Sequence, residues 1–185
     1  MKRIVLTFGL IAGAVLSAMM AASMALIDVI GYDRGEIVGY TTMVLAFLLV
    51  FFGIRSYRDN VAGGEITFGK GFAVGLLIVA VASVCYVVTW QVIYFGFLPD
   101  FGERYAAHAL EQARAAGATA EELAAQARQM ARYAELYKNP LINAAITFLE
   151  PLPVGLVMAL VSAGILRRKR VALAGSTVGR ASHAV

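Results

Sequence analysis

The chain has 185 residues, of which 60% are hydrophobic and 15% are charged. Soluble domains carry about a quarter charged residues, so a water-soluble core of this size could not bury so much apolar surface. The net charge is +4, but the basic residues cluster at the chain ends and in one short loop, as membrane topology requires. With no nucleic-acid motif present, we expect a lipid bilayer and not nucleic acid as the partner.

Four apolar segments are long enough to cross a hydrocarbon core of about 30 Å, which takes about 20 helical residues. The first also resembles a signal peptide, since Met1-Lys2-Arg3 precedes it and Ser23-Met24-Ala25 resembles a cleavage site, but its length favours an uncleaved helix. We predict an all-α, integral membrane four-helix bundle with an extramembrane helical hairpin between the third and fourth helices. The predicted single domain spans 1–170, with membrane helices at 4–27, 37–54, 72–98 and 141–166.

Lysine and arginine in the short loops predict the orientation. Lys2 and Arg3 precede the first helix, the second loop contains Arg55, Arg58 and Lys70, and residues 167–170 are all basic. Both termini are therefore predicted to be cytoplasmic. The tail 171–185 is rich in glycine, serine and alanine, which is typical of disorder.

The segment 99–140 is too long for a plain loop and is predicted to form the hairpin on the other side of the membrane. Capping boxes at Asp100/Glu103 and Thr119/Glu122 open its two helices, and Gly117 ends the first. An alanine-rich apolar stripe on the second helix is expected to pack on its sister helix or on the membrane surface. Docking to another protein is the alternative.

Small residues at four-residue spacing predict close helix packing, because lipid supplies no hydrophobic drive for helices to associate. We expect these ridges to pack within one chain, and a homodimer or another membrane-protein partner remains open. The ridges comprise Gly9, Gly13, Ser17, Ala21 and Ala25; Gly71, Gly75 and Ser83, interrupted by Val79; and Gly155, Ala159 and Ala163.

The sequence Glu150-Pro151-Leu152-Pro153 is the chemically unusual part of the fourth helix. A carboxylate at this depth must be protonated, paired or in contact with water. Pro151 and Pro153 remove two backbone donors and predict a kink. One interpretation is a protonated Glu150 that hydrogen-bonds within the bundle; the other is a polar pocket, open to the outside, that binds a cation or relays a proton. Candidate partners in the same half are Gln91, Thr89, Tyr94 and Asn143.

Lys70 lies between two glycines, an arrangement similar to a phosphate cradle. The P-loop pattern and a preceding strand are missing, so a turn with a topology lysine is the better interpretation. Catalytic signatures and metal-ligand spacings are also missing from the sequence. We therefore expect no enzyme activity, cofactor or metal.

Residues 2–169 resemble a bacterial membrane family known as domain of unknown function 4199. The resemblance lies in segments 51–59, 64–70, 137–140 and 148–156 and in the basic run that starts at Arg167. It implies a protein of the bacterial inner membrane and supplies no activity.

Two functions are therefore expected. The first is a non-enzymatic structural or regulatory component of the envelope. The alternative is a small transporter, or an ion- or proton-coupling component, that uses Glu150. A cavity that reaches Glu150 would favour the second function, whereas a dry, tightly packed bundle with an apolar patch on the hairpin would favour the first.

Overall fold

The computed structural model describes residues 1–167, so the predicted disordered tail 171–185 lies outside the described residues. Helices follow one another along this part of the chain, with short turns between them. They are α1 (Lys2–Ala25), α2 (Ile27–Ile30), α3 (Tyr32–Asn60), α4 (Phe68–Gly96), α5 (Phe101–Ala115), α6 (Ala120–Tyr137), α7 (Pro140–Leu149) and α8 (Leu152–Leu166).

Four spans are long and apolar enough to cross a membrane: α1, α3, α4, and α7 together with α8, with mean hydropathies between 1.9 and 2.5. Even the 24 residues of α1 cover more than the hydrocarbon thickness of about 30 Å, at about 1.5 Å per residue. Their outward faces carry large apolar side chains that only lipid would solvate well. These include Leu6, Leu10, Leu45, Val84, Val88, Val157 and Ile165. The chain is a multi-pass, all-α membrane protein, and α5 and α6 form a hairpin after the third span, as predicted.

The second span differs from the prediction, because α3 extends beyond 37–54 at both ends. The segment predicted as the first loop is instead α2, a turn at Gly31 and the first turn of α3. Gly31 has a φ of 81°, a backbone conformation that glycine adopts without a steric penalty. The apolar run indicates only the part of α3 that lies in hydrocarbon. The polar first turn of α3, which includes Asp33, precedes that part and belongs to the same continuous helix.

The fourth span is broken, and Glu150 and Pro151 separate α7 from α8. Pro151 and Pro153 have no N–H to donate to the carbonyls four residues earlier, so the helical ladder is interrupted there. The predicted kink is therefore present as a break. The span also changes neighbours at this point, since α8 packs against α3 and α4 whereas α7 packs mainly against α4 and α6.

Glycines bring the membrane helices into close contact. A Cβ added to Gly13 of α1 would lie 2.6 Å from the Cβ of Cys85 in α4, and one added to Gly75 would lie 3.0 Å from the Cβ of Ala159 in α8. Val79, which interrupts the small-residue series of α4, packs directly on Gly155 of α8. The ridges therefore serve packing within the chain. The core that they surround includes Phe47, Val50, Ile54 and Ile78, all fully buried.

We predict that Gly13→Ala lowers the stability of the purified protein in detergent. The added methyl group overlaps the Cys85 side chain, and overpacking of this kind costs about 1–3 kcal/mol. Gly164→Ala is the matched control, because a Cβ there meets no atom within 4 Å and alanine favours a helix by up to about 1 kcal/mol over glycine. Thermal denaturation should therefore shift downwards for Gly13→Ala and stay or rise for Gly164→Ala. Equal shifts in the two variants would contradict the close contact of α1 and α4.

The caps of the hairpin agree with the sequence at one helix and differ at the other. At α6 the Thr119 N–H donates to the Glu122 carboxylate at 2.7 Å, and the Glu122 N–H donates to the Thr119 hydroxyl at 3.3 Å, which confirms the capping box. Gly117 ends α5 with a φ of 88°, as predicted. The capping box predicted at Asp100 is wrong, because its carboxylate accepts from Arg104 Nε at 2.8 Å and makes no cap bond. The backbone of Asp100, with φ −93° and ψ 4°, also lies outside the extended conformation that is typical of residues whose side chains cap a helix.

The cap of α6 should depend on pH. Hydrogen bonds from the backbone N–H and the hydroxyl of Thr119 hold the pKa of the Glu122 carboxyl below its usual value. A lowered acid pKa means that the cap stabilises the helix above the usual carboxyl pKa, and that this stabilisation is lost as the pH falls through the lowered value. In hydrogen exchange, corrected for intrinsic rates, the first turn of α6 should exchange severalfold faster in Glu122→Ala at neutral pH. The difference should vanish in acid. Glu121→Ala, one residue earlier, should not change the exchange.

Candidate functional site

A cavity of about 670 Å³ lies between the hairpin and the end of the bundle beneath it. We call it the hairpin cavity; α1 and the first turns of α3 line one side, α4 and α7 line the other, and α5 and α6 cover it. The break at Glu150 explains its origin, because α7 turns towards α4 and α6 while α3 continues along its own axis. The volume falls within the range of about 300–1,000 Å³ that is common for small-molecule sites.

Glu150 lies at the end of α7, where its exposed side chain lines the hairpin cavity. Tyr86 of α4 and Glu36 of α3 line the same cavity. Three helices thus bring two carboxyl groups and a phenol to the wall of one cavity. Such a group of polar side chains can bind a ligand or exchange a proton with it.

The other predicted site residues do not line the cavity. Pro151 is fully buried at the break and Pro153 is exposed at the start of α8. Gln91 donates hydrogen bonds to the Pro140 carbonyl and to Asn143 Oδ1, both at 3.1 Å. It therefore holds α4 against the start of α7.

The expected partner Thr89 and the separate candidate Lys70 also lie away from Glu150. Thr89 donates to Ser17 Oγ at 2.8 Å, which joins α4 to α1. Lys70 is an exposed residue in the first turn of α4, at the opposite end of that helix from the cavity. Its backbone N–H donates to the Thr67 hydroxyl at 3.4 Å, which caps the helix. Among the candidate site residues, Glu150 is the one that lines the cavity. Of its expected partners, Tyr94 lines the cavity as well.

Tyr86, Trp90 and Glu36 were not predicted as residues of the site. Tyr86 and Trp90 line the cavity from the same face of α4 as the predicted Tyr94, and the four-residue spacing of these three residues is the helical signal that could have grouped them. Glu36 was assigned to a loop, whereas it lies on the extended α3 and faces the same cavity.

Aromatic contacts hold the hairpin over the cavity. The Tyr32 ring lies 5.9 Å from Phe101, 5.8 Å from Tyr105 and 5.0 Å from His108, measured between ring centroids. Trp90 of α4 packs edge-on against Phe101 at 5.3 Å. The hairpin is thus attached to both α3 and α4.

A polar contact adds to this attachment. Gln112 of α5 donates to both carboxylate oxygens of Asp33, at 2.7 and 2.8 Å, and His108 Nε2 lies 3.3 Å from the same carboxylate. Within residues 1–167, no group of three histidine, cysteine, aspartate or glutamate side chains is arranged to hold a metal ion. His108 is therefore part of the contact between α5 and α3.

The model of one protein family matches residues 7–168. The chain belongs to the DUF4199 family. Its members are described as proteins of unknown function, and no curated protein and no solved structure matches the chain. All of the residues that line the hairpin cavity fall within the part that matches DUF4199. The cavity therefore lies inside the family's own domain.

Trp90 offers a direct measurement of access to the cavity, because it is the only tryptophan of the chain and lines the wall. We predict that acrylamide quenches its fluorescence in lipid nanodiscs, and that Gly39→Phe reduces the quenching by about half or more, as a phenyl ring fills a sizeable part of a cavity of this class. Gly39 lines the cavity, and a Cβ there meets no atom within 4 Å.

Gly164→Phe is the matched control, because Gly164 has equally open surroundings and does not line the cavity. Its quenching should equal that of the unmodified protein. Identical quenching in all three proteins would show that Trp90 is not reached through the cavity.

Proposed function

We propose that this DUF4199 protein is a non-enzymatic protein of the bacterial inner membrane that binds a small molecule in the hairpin cavity. The observation that carries the proposal is a cavity of ligand size that ends at Glu150, a carboxyl group in an apolar span. From the distribution of lysine and arginine, we place the hairpin outside the cytoplasm.

The surroundings of Glu150 support a role in binding. Asn143, which precedes Glu150 in α7, is fully buried and has hydrogen-bond partners in Gln91 and the Tyr137 carbonyl. This is what a structural polar residue requires. Glu150 is instead exposed to the cavity, although an acidic residue in a membrane helix costs at least about 2.5 kcal/mol by insertion scales. A ligand that contacts the carboxyl group would offset part of that cost.

The break in the helix also supports the proposal. Irregular backbone at membrane depth is stable only where it packs on protein or lines a cavity, and transporters place binding sites at such breaks. Pro151 has no N–H to donate to the carbonyl of Thr147. Thr147 lines the hairpin cavity together with Glu150.

The opposite half of the bundle favours binding from one side. Below the cavity the core is filled by Phe47, Val50, Ile54 and Ile78, none of which exposes any surface. A ligand in this conformation would enter and leave on the hairpin side. Sensing or regulation fits this arrangement directly, while transport would require the packed half to open.

The proposal predicts that Glu150→Gln and Gly39→Phe each abolish the function, because one removes the carboxylate and the other fills the cavity. The measurement is competitive growth of a deletion strain that carries each variant, with equal amounts of protein verified in the membrane fraction. Glu121→Gln makes the same charge change on the exposed face of α6 and should complement fully, as should Gly164→Phe. If both cavity variants complemented as well as their controls, the cavity would have no functional role.

A further inference from the structure

Apart from His108, the acidic and basic side chains that line the hairpin cavity are all acidic. Among the described residues that line it, Asp33, Glu36 and Glu150 are acidic, and neither lysine nor arginine is present. His108 is the one basic side chain of this lining, and it lies against Asp33 at 3.3 Å. Because the walls are mostly apolar, these charges act through a medium of lower dielectric constant than water.

The backbone at the break contributes carbonyl oxygens to this region. The carboxyl end of α7 and the amino end of α8 meet there, so their partial charges offset each other. Pro151 has no N–H to donate to the carbonyl of Thr147, and Thr147 lines the cavity. An anionic ligand would meet three acidic side chains, so the electrostatics favour a cation.

The walls match the apolar part of an organic cation. Every tyrosine of the chain except Tyr57 lines the cavity, together with Trp90, and the faces of aromatic rings attract cations. Five of the seven methionines line it as well, and methionine adapts its shape to varied ligands. A bare metal ion would instead need several oxygen ligands at bonding distance.

We propose that the ligand of the hairpin cavity is a water-soluble organic cation with an apolar body, such as a quaternary ammonium or phosphonium ion. Its charge lies near Glu150 and Glu36, and its apolar groups pack against the tyrosines and methionines. This inference rests on the proposed function, since it names the class of ligand for the same cavity.

The test compares two probes of the same shape and opposite charge, tetraphenylphosphonium and tetraphenylborate. Each is titrated into the full chain in phosphatidylcholine nanodiscs while the fluorescence of Trp90 is recorded. Discs that contain Gly39→Phe give the baseline for simple partition into lipid. We expect saturable binding of the phosphonium ion, about tenfold or more tighter than any binding of the borate, since like charges in such a site repel.

Variants then test the role of the carboxylates. The double variant Glu36→Gln, Glu150→Gln should weaken phosphonium binding by about tenfold or more, because a cation loses two nearby opposite charges. Glu121→Gln and Gly164→Phe should bind like the unmodified protein. Binding that survived in Gly39→Phe would place the probe outside the cavity and overturn the proposal.

The two remaining outcomes separate this inference from the proposed function. If both probes bound equally and Gly39→Phe blocked both, the cavity would be a binding site but not one for cations. If neither probe bound saturably and Gly39→Phe changed nothing in the growth assay, both proposals would be wrong.

Discussion

The absence of water from the bilayer core is the constraint on which this structure depends. There, each backbone N–H and C=O must find a partner inside the protein, so an unbroken helix is the default and an interruption is stable only where protein or a cavity surrounds it. Pro151 and Pro153 create such an interruption. The break, the carboxyl group of Glu150 and the hairpin cavity are therefore one feature: the break directs α7 away from α3, and the resulting space accommodates a side chain that hydrocarbon would exclude.

The two halves of the bundle are built from different residues because they meet different requirements. On the α8 side, glycines such as Gly75 and Gly155 let helix backbones approach until a single methyl group would overlap its neighbour. This dense packing replaces the hydrophobic drive that lipid does not supply. On the hairpin side, large tyrosine and methionine side chains line the wall and keep the helices apart. Rigid packing in one half thus holds in place the helices that bound the cavity in the other.

Features that depend on neighbouring residues in the sequence could be predicted. The apolar spans, the capping box of Thr119 and Glu122, and the break at Pro151 all follow from local hydropathy, hydrogen bonding or ring geometry. The presence of Tyr86 and Glu150 in the wall of one cavity could not be predicted, since it depends on how two distant helices rotate against each other. Asp100 shows the limit even of local patterns. Its capping signal was correct in composition, but its carboxylate accepts from Arg104 and its backbone is not extended. The full extent of α3 was not predicted, because hydropathy indicates which residues contact lipid and does not indicate where a helix begins and ends.

The attachments of the hairpin connect its position to the width of the cavity. On one side Gln112 and the Tyr32 cluster join α5 to α3. On the other, α6 leads through Lys138 and Asn139 directly into α7, which Gln91 fastens to α4 at Asn143. A ligand that contacts Glu150 and the aromatic cover at the same time would therefore bridge elements with separate anchors. Its binding energy would depend on the hairpin being in place, and by thermodynamic reciprocity its binding would stabilise that position of the hairpin. Binding of a ligand in the cavity would in this way affect the surface that the hairpin presents outside the membrane.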